Sequence, residues 1–345
     1  MSAAHPYERL TPQRVLDALQ GVGLFGDGRL LQLNSYENRV FQAMLEDGSA
    51  VVAKFYRPGR WSDAQILEEH HFALQLAEQE IPVIAPLPLR PDATSPLPEL
   101  SCTGEPPTLA CWSEEGAAFR LGVYARRSGH GPELDDPAVL SWLGRFLGRM
   151  HAVGAREPFQ ARRRLDAAAY GRQPLQRLLD GELITPAQRP GFEATARAAL
   201  TLVDGAFVSV GAWTPLRLHG DFHPGNILWR DEGPHIVDLD DCCSGPAVQD
   251  LWMLLSGAPH EMRSQLLHVL DGYAAFLRFD ARELALIEPL RTLRMLHHSA
   301  WLAERWSDPA FPAAFPWFGS AAYWSQQTQA LREQIDTMQD SSLTL

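Results

Sequence analysis

Residues 219–226 read HGDFHPGN, and residues 237–241 follow shortly after them as VDLDD. The first stretch places a carboxylate, Asp221, five positions before a carboxamide, Asn226. Apolar residues flank both stretches, which predicts polar loops between short strands. In such loops Asp221 can accept a proton from an attacking hydroxyl, and Asn226 and Asp238 can hold a Mg²⁺ ion that neutralises phosphates. The spacing therefore favours phosphoryl transfer over the alternative, an acidic surface turn.

The composition is that of an ordinary globular protein. The chain has 345 residues, long enough for two domains, and 46% of them are hydrophobic. The formal net charge of -12 disfavours a nucleic-acid or membrane-surface partner, because phosphate groups would be repelled. A nucleotide site is still compatible with this charge, since nearby cationic side chains and metal ions determine the local field.

The four cysteines and the amino terminus predict a cytoplasmic protein. Neither a C-x-x-C zinc or redox motif nor a disulfide framework is apparent, which fits a reducing compartment. Residues 1–6 lack the basic and apolar pattern of a signal peptide. The adjacent Cys242 and Cys243 could sense oxidation, but plain loop residues are the favoured interpretation.

The patterning predicts an α+β protein with a small β-rich N-lobe over residues 1–124 and a larger helical C-lobe over residues 125–345. Residues 82–98 are expected to be extended, and residues 101–116 are expected to form a polar segment. Strands are predicted at 30–33, 39–45, 51–56 and 119–124. Helices are predicted at 11–20, 62–80, 137–151, 175–180, 186–203, 247–256, 260–276, 282–307 and 321–338.

Lys54 ends an apolar strand, so its ammonium must either reach solvent or find a partner. The helix that follows carries Glu68 and Glu69, whose side chains point about 100° apart. A strand lysine paired with a helix glutamate holds the α- and β-phosphates of ATP in kinases. A solvated surface lysine is the alternative, and the acidic motif farther along the chain favours the pair.

Two loops near the amino terminus are candidates for phosphate contacts. Residues 34–38, NSYEN, can turn backbone N–H groups and a hydroxyl toward phosphates, although a simple hairpin turn is the alternative. Residues 21–26 match G-x-G-x-x-G, but they follow a helix and precede strands, so we interpret them as a helix end and turn. No P-loop sequence and no nucleophile elbow is present.

Several polar residues are predicted to have structural roles. Asp250 is predicted to cap a helix and could also brace the catalytic loop through backbone contacts. Arg291 and Arg294 are assigned to packing and to the surface. His219 and His223 could bind a metal, which keeps metal-dependent hydrolysis as a minor alternative.

Taken together, these residues resemble the protein-kinase-like phosphotransferases, the group of aminoglycoside and choline kinases. The chain is more closely similar to the stress response kinase A family, from about residue 8 to about residue 335. The stretches that carry this resemblance are 34–40, 54–58, 65–70, 147–151, 245–254 and 308–312.

The resemblance implies a two-lobed, protein-kinase-like fold and an ATP- and Mg²⁺-dependent serine/threonine protein kinase. Such a kinase acts in bacterial stress response in the cytoplasm and phosphorylates itself. A monomer is a separate expectation for this chain. The implied roles are proton acceptor for Asp221, Mg²⁺ ligands for Asn226 and Asp238, and an ATP contact for Ser35.

The resemblance also favours Glu69 over Glu68 as the partner of Lys54. In this fold the adenine is expected beside the hinge, near Val123 and Ala125.

Two departures from ordinary protein kinases matter. The catalytic motif reads His-Gly-Asp where they have His-Arg-Asp, and the metal motif reads Asp-Leu-Asp where they have Asp-Phe-Gly. Control by a phosphorylated activation loop is therefore not expected. A small-molecule kinase acting on an alcohol such as choline, homoserine or an aminoglycoside remains the alternative enzyme. An inactive nucleotide-binding regulator is the alternative from another class.

Overall fold

The computed structural model describes residue 7, residues 9–97 and residues 99–340. The predictions made for residues 1–6, and the outer ends of the predicted lobes, lie outside these residues. Contacts divide the chain into two compact units. The first comprises Met1–Pro132 with Gly225–Asp240, and the second comprises Glu133–Pro224 with Asp241–Leu345. The division of function between lobes 1–124 and 125–345 stays a prediction.

An antiparallel sheet forms the centre of the first unit. Its strands are β1 Gly26–Leu33, β2 Arg39–Leu45, β3 Ala50–Phe55, β4 Ser101–Thr103, β5 Leu109–Glu114 and β6 Ala117–Ala125. Within the described residues the strand order is β1-β2-β3-β6-β5-β4. Lys54 on β3 lies between Val40 on β2 and Gly122 on β6, so the interior of the sheet fixes its backbone on both sides.

Two helices accompany this sheet, and both begin where the sequence predicts. In α1 (Pro12–Gly21) the Thr11 hydroxyl accepts a hydrogen bond from a first-turn N–H. In α2 (Asp63–Glu78) Ser62 and Gln65 form a capping box. α1 packs Val15 and Leu19 into a core that includes Phe55 and Val123 of the sheet.

A hairpin from later in the chain also belongs to the first unit. It consists of β8 (Ile227–Arg230) and β9 (Gly233–Ile236), joined by a tight turn. Ile236 donates to the carbonyl of Pro82 at 2.8 Å and accepts from the N–H of Ile84 at 2.9 Å. The extended segment predicted at 82–98 therefore holds this hairpin by backbone hydrogen bonds.

The second unit is mainly helical. Its helices are α3 Pro137–Gly154, α4 Gln173–Asp180, α5 Arg189–Val210, α6 Val248–Trp252, α7 Pro259–Tyr273, α8 Ile287–Glu304, α9 Ala310–Ala314 and α10 Ala321–Asp340. Short strands β7 (Leu216–Leu218) and β10 (Cys243–Gly245) pair antiparallel. A π-helical turn, Ala168–Arg172, precedes α4, and a 3₁₀ segment, Ala281–Leu286, precedes α8.

The predicted α+β class is thus confirmed, although several elements differ in detail. Residues 101–116 contain strands β4 and β5, whereas the sequence predicts none there. The helix predicted over 247–256 is confined to α6, which has five residues. In the described part of the chain, no helix combines the length and the apolar character that crossing a membrane requires.

Candidate active site

Lys54 lies at the centre of a buried group of charges in the first unit. The side chain is nearly buried, with 7% of the residue exposed. Its Nζ is 3.4 Å from Glu69 Oε1, 3.3 Å from Asp238 Oδ1 and 2.8 Å from Asp240 Oδ1. Burial alone would lower the pKa of Lys54, but the charges of Asp240, Glu69 and Asp238 raise it well above its ordinary value. The ammonium therefore stays charged at every physiological pH.

Glu69, one of the two candidates on α2, is the glutamate that contacts Lys54. It is buried, and Tyr56, which belongs to a hydrogen-bonded group of ring side chains, contacts it. Tyr56 Oη lies 3.5 Å from Glu69 Oε1, 2.7 Å from His70 Nε2 and 2.9 Å from Tyr124 Oη. These buried polar contacts fix the carboxylate in place, and the sequence analysis assigned no role to the three residues that make them.

Asp240 is a further residue in this site for which the sequence predicted no role. Its Oδ1 contacts Lys54, and its Oδ2 is 2.8 Å from Arg60 Nη1. The same Arg60 nitrogen is 3.2 Å from Glu37 Oε2. A chain of alternating charges therefore links the loop at residues 34–38 to Lys54. The sequence offers one signal for Asp240, its position in the same acidic run as Asp238.

Ser35 shapes the loop in which it lies. Its Oγ accepts a hydrogen bond from the N–H of Asn38 at 3.3 Å, and Asn38 Oδ1 accepts from the N–H of Arg57 at 3.1 Å. These bonds hold the turn between β1 and β2 in one conformation. A contact between Ser35 and ATP stays a prediction.

Val123 and Ala125 lie on β6, opposite Ala53 and Val51 of β3. The side chain of Val123 is fully buried, and its carbonyl accepts a hydrogen bond from Leu87 N at 2.7 Å. Ala125 is partly exposed at the end of the strand. An adenine contact at these positions stays a prediction.

Asn226 and Asp238 are brought together at the open end of the β8–β9 hairpin. Ile227 pairs with Ile236, and the next residue pair outward is joined by a bond from Val237 N to Asn226 O at 3.0 Å. Asp238 has a left-handed backbone, with φ of +61°, and 55% of its side chain is exposed.

This pair fits Mg²⁺, which takes few protein oxygen ligands and completes its shell with phosphates and water.

Asp221 belongs to the second unit, where two basic side chains flank it. Its Oδ1 is 2.6 Å from Arg294 Nη1, and its Oδ2 is 3.4 Å from His223 Nε2. Burial would raise the pKa of Asp221, but the hydrogen bond from His223 and the charge of Arg294 lower it well below its usual range. The surface position predicted for Arg294 is confirmed, because 46% of its side chain is exposed, but its ion pair with Asp221 was not predicted. Its position 73 residues from Asp221 left no sequence signal.

Asp250 braces the loop that carries Asp221. The fully buried carboxylate accepts from the N–H groups of His219 and Gly220 at 2.8 and 2.9 Å, and it lies 3.1 Å from His151 Nε2. Bracing of the loop is thus observed. The helix-capping role predicted for Asp250 is wrong, because its carboxylate binds the N–H groups of His219 and Gly220, whereas Glu283 accepts from the first N–H of α6.

The two adjacent cysteines lie in a buried part of the second unit. Burial raises the pKa of the Cys243 thiol well above its ordinary value, and the charge of Asp250 adds to this effect. A thiol that stays protonated is a poor nucleophile, so Cys243 lacks the character of a redox sensor.

A model of the phosphotransferase enzyme family matches residues 29–287. The chain belongs to this family. The phosphotransferase is 42% identical to the stress response kinase A of Escherichia coli strain K12, covering all of this chain and 98% of that protein. It is 41% identical to the serine/threonine protein kinase RdoA of Salmonella typhimurium strain LT2, covering 99% and 98%. The resemblance to the stress response kinase A family is confirmed.

Solved structures establish the fold of the phosphotransferase. It matches an amicoumacin kinase, solved with AMP-PNP and Ca²⁺, with a TM-score of 0.69 at 20% identity, covering 98% of this chain and 96% of that one. It matches an aminopropanol kinase with a TM-score of 0.68 at 16% identity, covering 95% and 97%. The predicted protein-kinase-like α+β fold is therefore confirmed.

Proposed function

We propose that this phosphotransferase is an ATP- and Mg²⁺-dependent serine/threonine protein kinase that also phosphorylates itself. The observation that carries the protein acceptor is the identity of 41% over nearly the whole length with a relative named as such a kinase. The names of the relatives also support a role in stress response. A cytoplasmic, monomeric protein remains the expectation from the sequence.

Lys54 is proposed to grip the α- and β-phosphates of ATP. Its contact with Glu69 holds the ammonium in place, and its contact with Asp238 places it beside the proposed metal ligands. Ser35 and its loop would cover the phosphates. Asn226 and Asp238 would hold Mg²⁺, which neutralises phosphate charge when it is bound.

Asp221 is proposed to accept the proton of the acceptor hydroxyl. The hydroxyl oxygen forms a bond to the γ-phosphorus, the bond to the β,γ-bridging oxygen breaks, and ADP leaves. The low pKa of Asp221 makes it a weak base. Orientation of the hydroxyl is then its main contribution, which suits a loose transition state in which little proton transfer has occurred.

Substitution of Asp221 tests this assignment. Asp221→Ala should keep nucleotide binding, because the residues proposed to bind ATP belong to the other unit, and should lose phosphoryl transfer by at least about 100-fold. Binding is measured by calorimetry with AMP-PNP, and transfer is measured with γ-labelled ATP. Asp204→Ala, a change at an exposed carboxylate, is the matched control. Undiminished phosphoryl transfer in Asp221→Ala would contradict the assignment of Asp221 as the proton acceptor.

The acceptor is identified with the pure protein and labelled ATP. Three incubations are compared: ATP alone, ATP with a casein-like protein, and ATP with choline or homoserine. Label on the enzyme and on casein supports the protein kinase. Label only on the small alcohols would replace it with the small-molecule kinase. ATP binding without any turnover would support the inactive regulator. The presence of all four residues proposed for catalysis and binding, Lys54, Asp221, Asn226 and Asp238, argues against that alternative.

A further inference from the structure

Arg294 lies on α8 beside Asp221, the proposed proton acceptor, and from this position it can also contact the substrate that carries the hydroxyl. Its Nη1 is 2.6 Å from Asp221 Oδ1, and 46% of its side chain is exposed. Over residues 7, 9–97 and 99–340, the Nη2 and Nε atoms of Arg294 have no polar protein partner. Two N–H-bearing nitrogens of a fixed planar fork therefore remain available beside the carboxylate that would meet the attacking hydroxyl.

The immediate surroundings of Asp221 are basic. His223 flanks the other carboxylate oxygen, and its ring is partly exposed. His298, on the same helix as Arg294, is mostly buried, and burial together with the Arg294 charge lowers its pKa. His298 is therefore neutral at neutral pH, and Arg294 carries the fixed positive charge next to Asp221.

We propose that Arg294 determines acceptor specificity by binding an anionic group adjacent to the hydroxyl. This inference rests on the proposed protein kinase activity and names its substrate class. The preferred acceptor is a serine or threonine flanked by aspartate, glutamate or a phosphorylated residue. A hydroxyl flanked by an amine is disfavoured.

The physical reason is the match between a guanidinium fork and a carboxylate or phosphate. Such groups accept two parallel N–H bonds from arginine, and these charge-assisted bonds are stronger than neutral ones. A hydroxyl within hydrogen-bond reach of Asp221 brings the neighbouring side chains of its own peptide near Arg294. An ammonium in that position would meet a like charge, which costs affinity.

The test compares serine peptides that differ only in the flanking charges. One peptide carries glutamates on both sides of the serine, a second carries lysines, and kcat/KM is measured for each with the full chain. The acidic peptide should be preferred by about tenfold, which corresponds to about 1.4 kcal/mol. Arg294→Gln should reduce the ratio to near one, mainly through a higher KM for the acidic peptide. Arg294→Glu should reverse it.

Arg197→Gln removes the same charge from an exposed site on α5 and should leave the ratio unchanged. The inference is overturned if both peptides are phosphorylated with equal efficiency, or if Arg294→Gln keeps the preference for the acidic peptide. Either result is still consistent with the proposed protein kinase activity. If neither peptide accepts phosphate, the protein kinase proposal fails, and glycerate is compared with serinol. If glycerate is preferred and Arg294→Gln abolishes this preference, the specificity role of Arg294 is supported. Any other result overturns that role.

Discussion

Gly220 explains, at the scale of one residue, why the catalytic motif lacks the arginine of ordinary protein kinases. Its backbone has a φ of +84°, a conformation that side chains strongly disfavour. A Cβ atom at this position would lie 2.2 Å from the carbonyl oxygen of Asp241. The loop that presents Asp221 can therefore form only with glycine here.

Gly220→Ala should lower the free energy of unfolding by about 1–3 kcal/mol and should also reduce phosphoryl transfer, because relief of the clash displaces Asp221. Urea unfolding and a transfer assay measure the two effects. Gly205→Ala on α5, where a Cβ meets no atom within 4 Å, is the control and should be neutral or stabilising. Equal stability of the two variants would contradict this explanation.

Lys54 is the only lysine in the chain, although the sequence has 30 lysine and arginine residues. An ammonium is a compact point charge, and three carboxylates surround this one. A planar guanidinium would not fit the same contacts.

An acyl-phosphate derivative of ATP, which acylates lysines near bound phosphates, should therefore modify one lysine, Lys54. Excess ATP should prevent the modification, and Lys54→Arg should abolish it. Peptide mass spectrometry locates the label. Failure of the probe to modify Lys54 while AMP-PNP still binds would contradict the proposed phosphate contact.

At the scale of elements, the short helix α6 positions Asp250 for the catalytic loop. Its first N–H, from Val248, donates to Glu283 Oε2 at 3.0 Å. Burial raises the pKa of Glu283 to about 7, even though backbone hydrogen bonds to Val248 and Ala247 oppose the shift. The site that contains Asp221 is thus supported by a carboxyl group that titrates near neutrality.

This shift predicts a pH dependence of stability. Between about pH 4.5 and pH 7 the folded state holds a proton on Glu283 that the unfolded state has released, so stability falls as pH rises. The full loss is on the order of 3 kcal/mol. Glu283→Gln should flatten this dependence in urea unfolding at pH 5 and pH 7.5, whereas the exposed Glu232→Gln should leave it intact. An unchanged slope in Glu283→Gln would refute the assignment.

Most elements were predictable, because capped helices and central strands carry local signals. Thr11 and Ser62 mark the starts of α1 and α2 as expected. Strands β4 and β5 were missed, since they lie at one end of the sheet, β4 has only three residues, and Pro106 and Pro107 lie between them. Pairing with a neighbour, not local propensity, makes such segments strands.

In the molecule as a whole, nucleotide binding and phosphoryl transfer are proposed to depend on different residues. A ligand that binds only the folded state stabilises it, by about 2.7 kcal/mol when its concentration is 100 times Kd. ATP with Mg²⁺ should raise Tm by roughly 3–5 °C, because the unfolding entropy of a 345-residue chain is large. EDTA or Asp238→Asn should remove most of this increase, and Asp221→Ala should keep it. A shift that is insensitive to both EDTA and Asp238→Asn would contradict the metal assignment.

The family, the fold class and the candidate residues Lys54, Asp221, Asn226 and Asp238 could all be predicted without the structure. These follow from short motifs and local periodicity, which need no knowledge of distant contacts. Their partners depend on the fold. The pair of Lys54 and Glu69, which the resemblance favours, forms because α2 turns Glu69 toward β3, whereas Asp240 and Arg294 had no predicted partner and gain theirs because charges far apart in the chain meet in buried or partly buried positions. Electrostatic pairing depends on distance in space, which spacing along the chain does not encode.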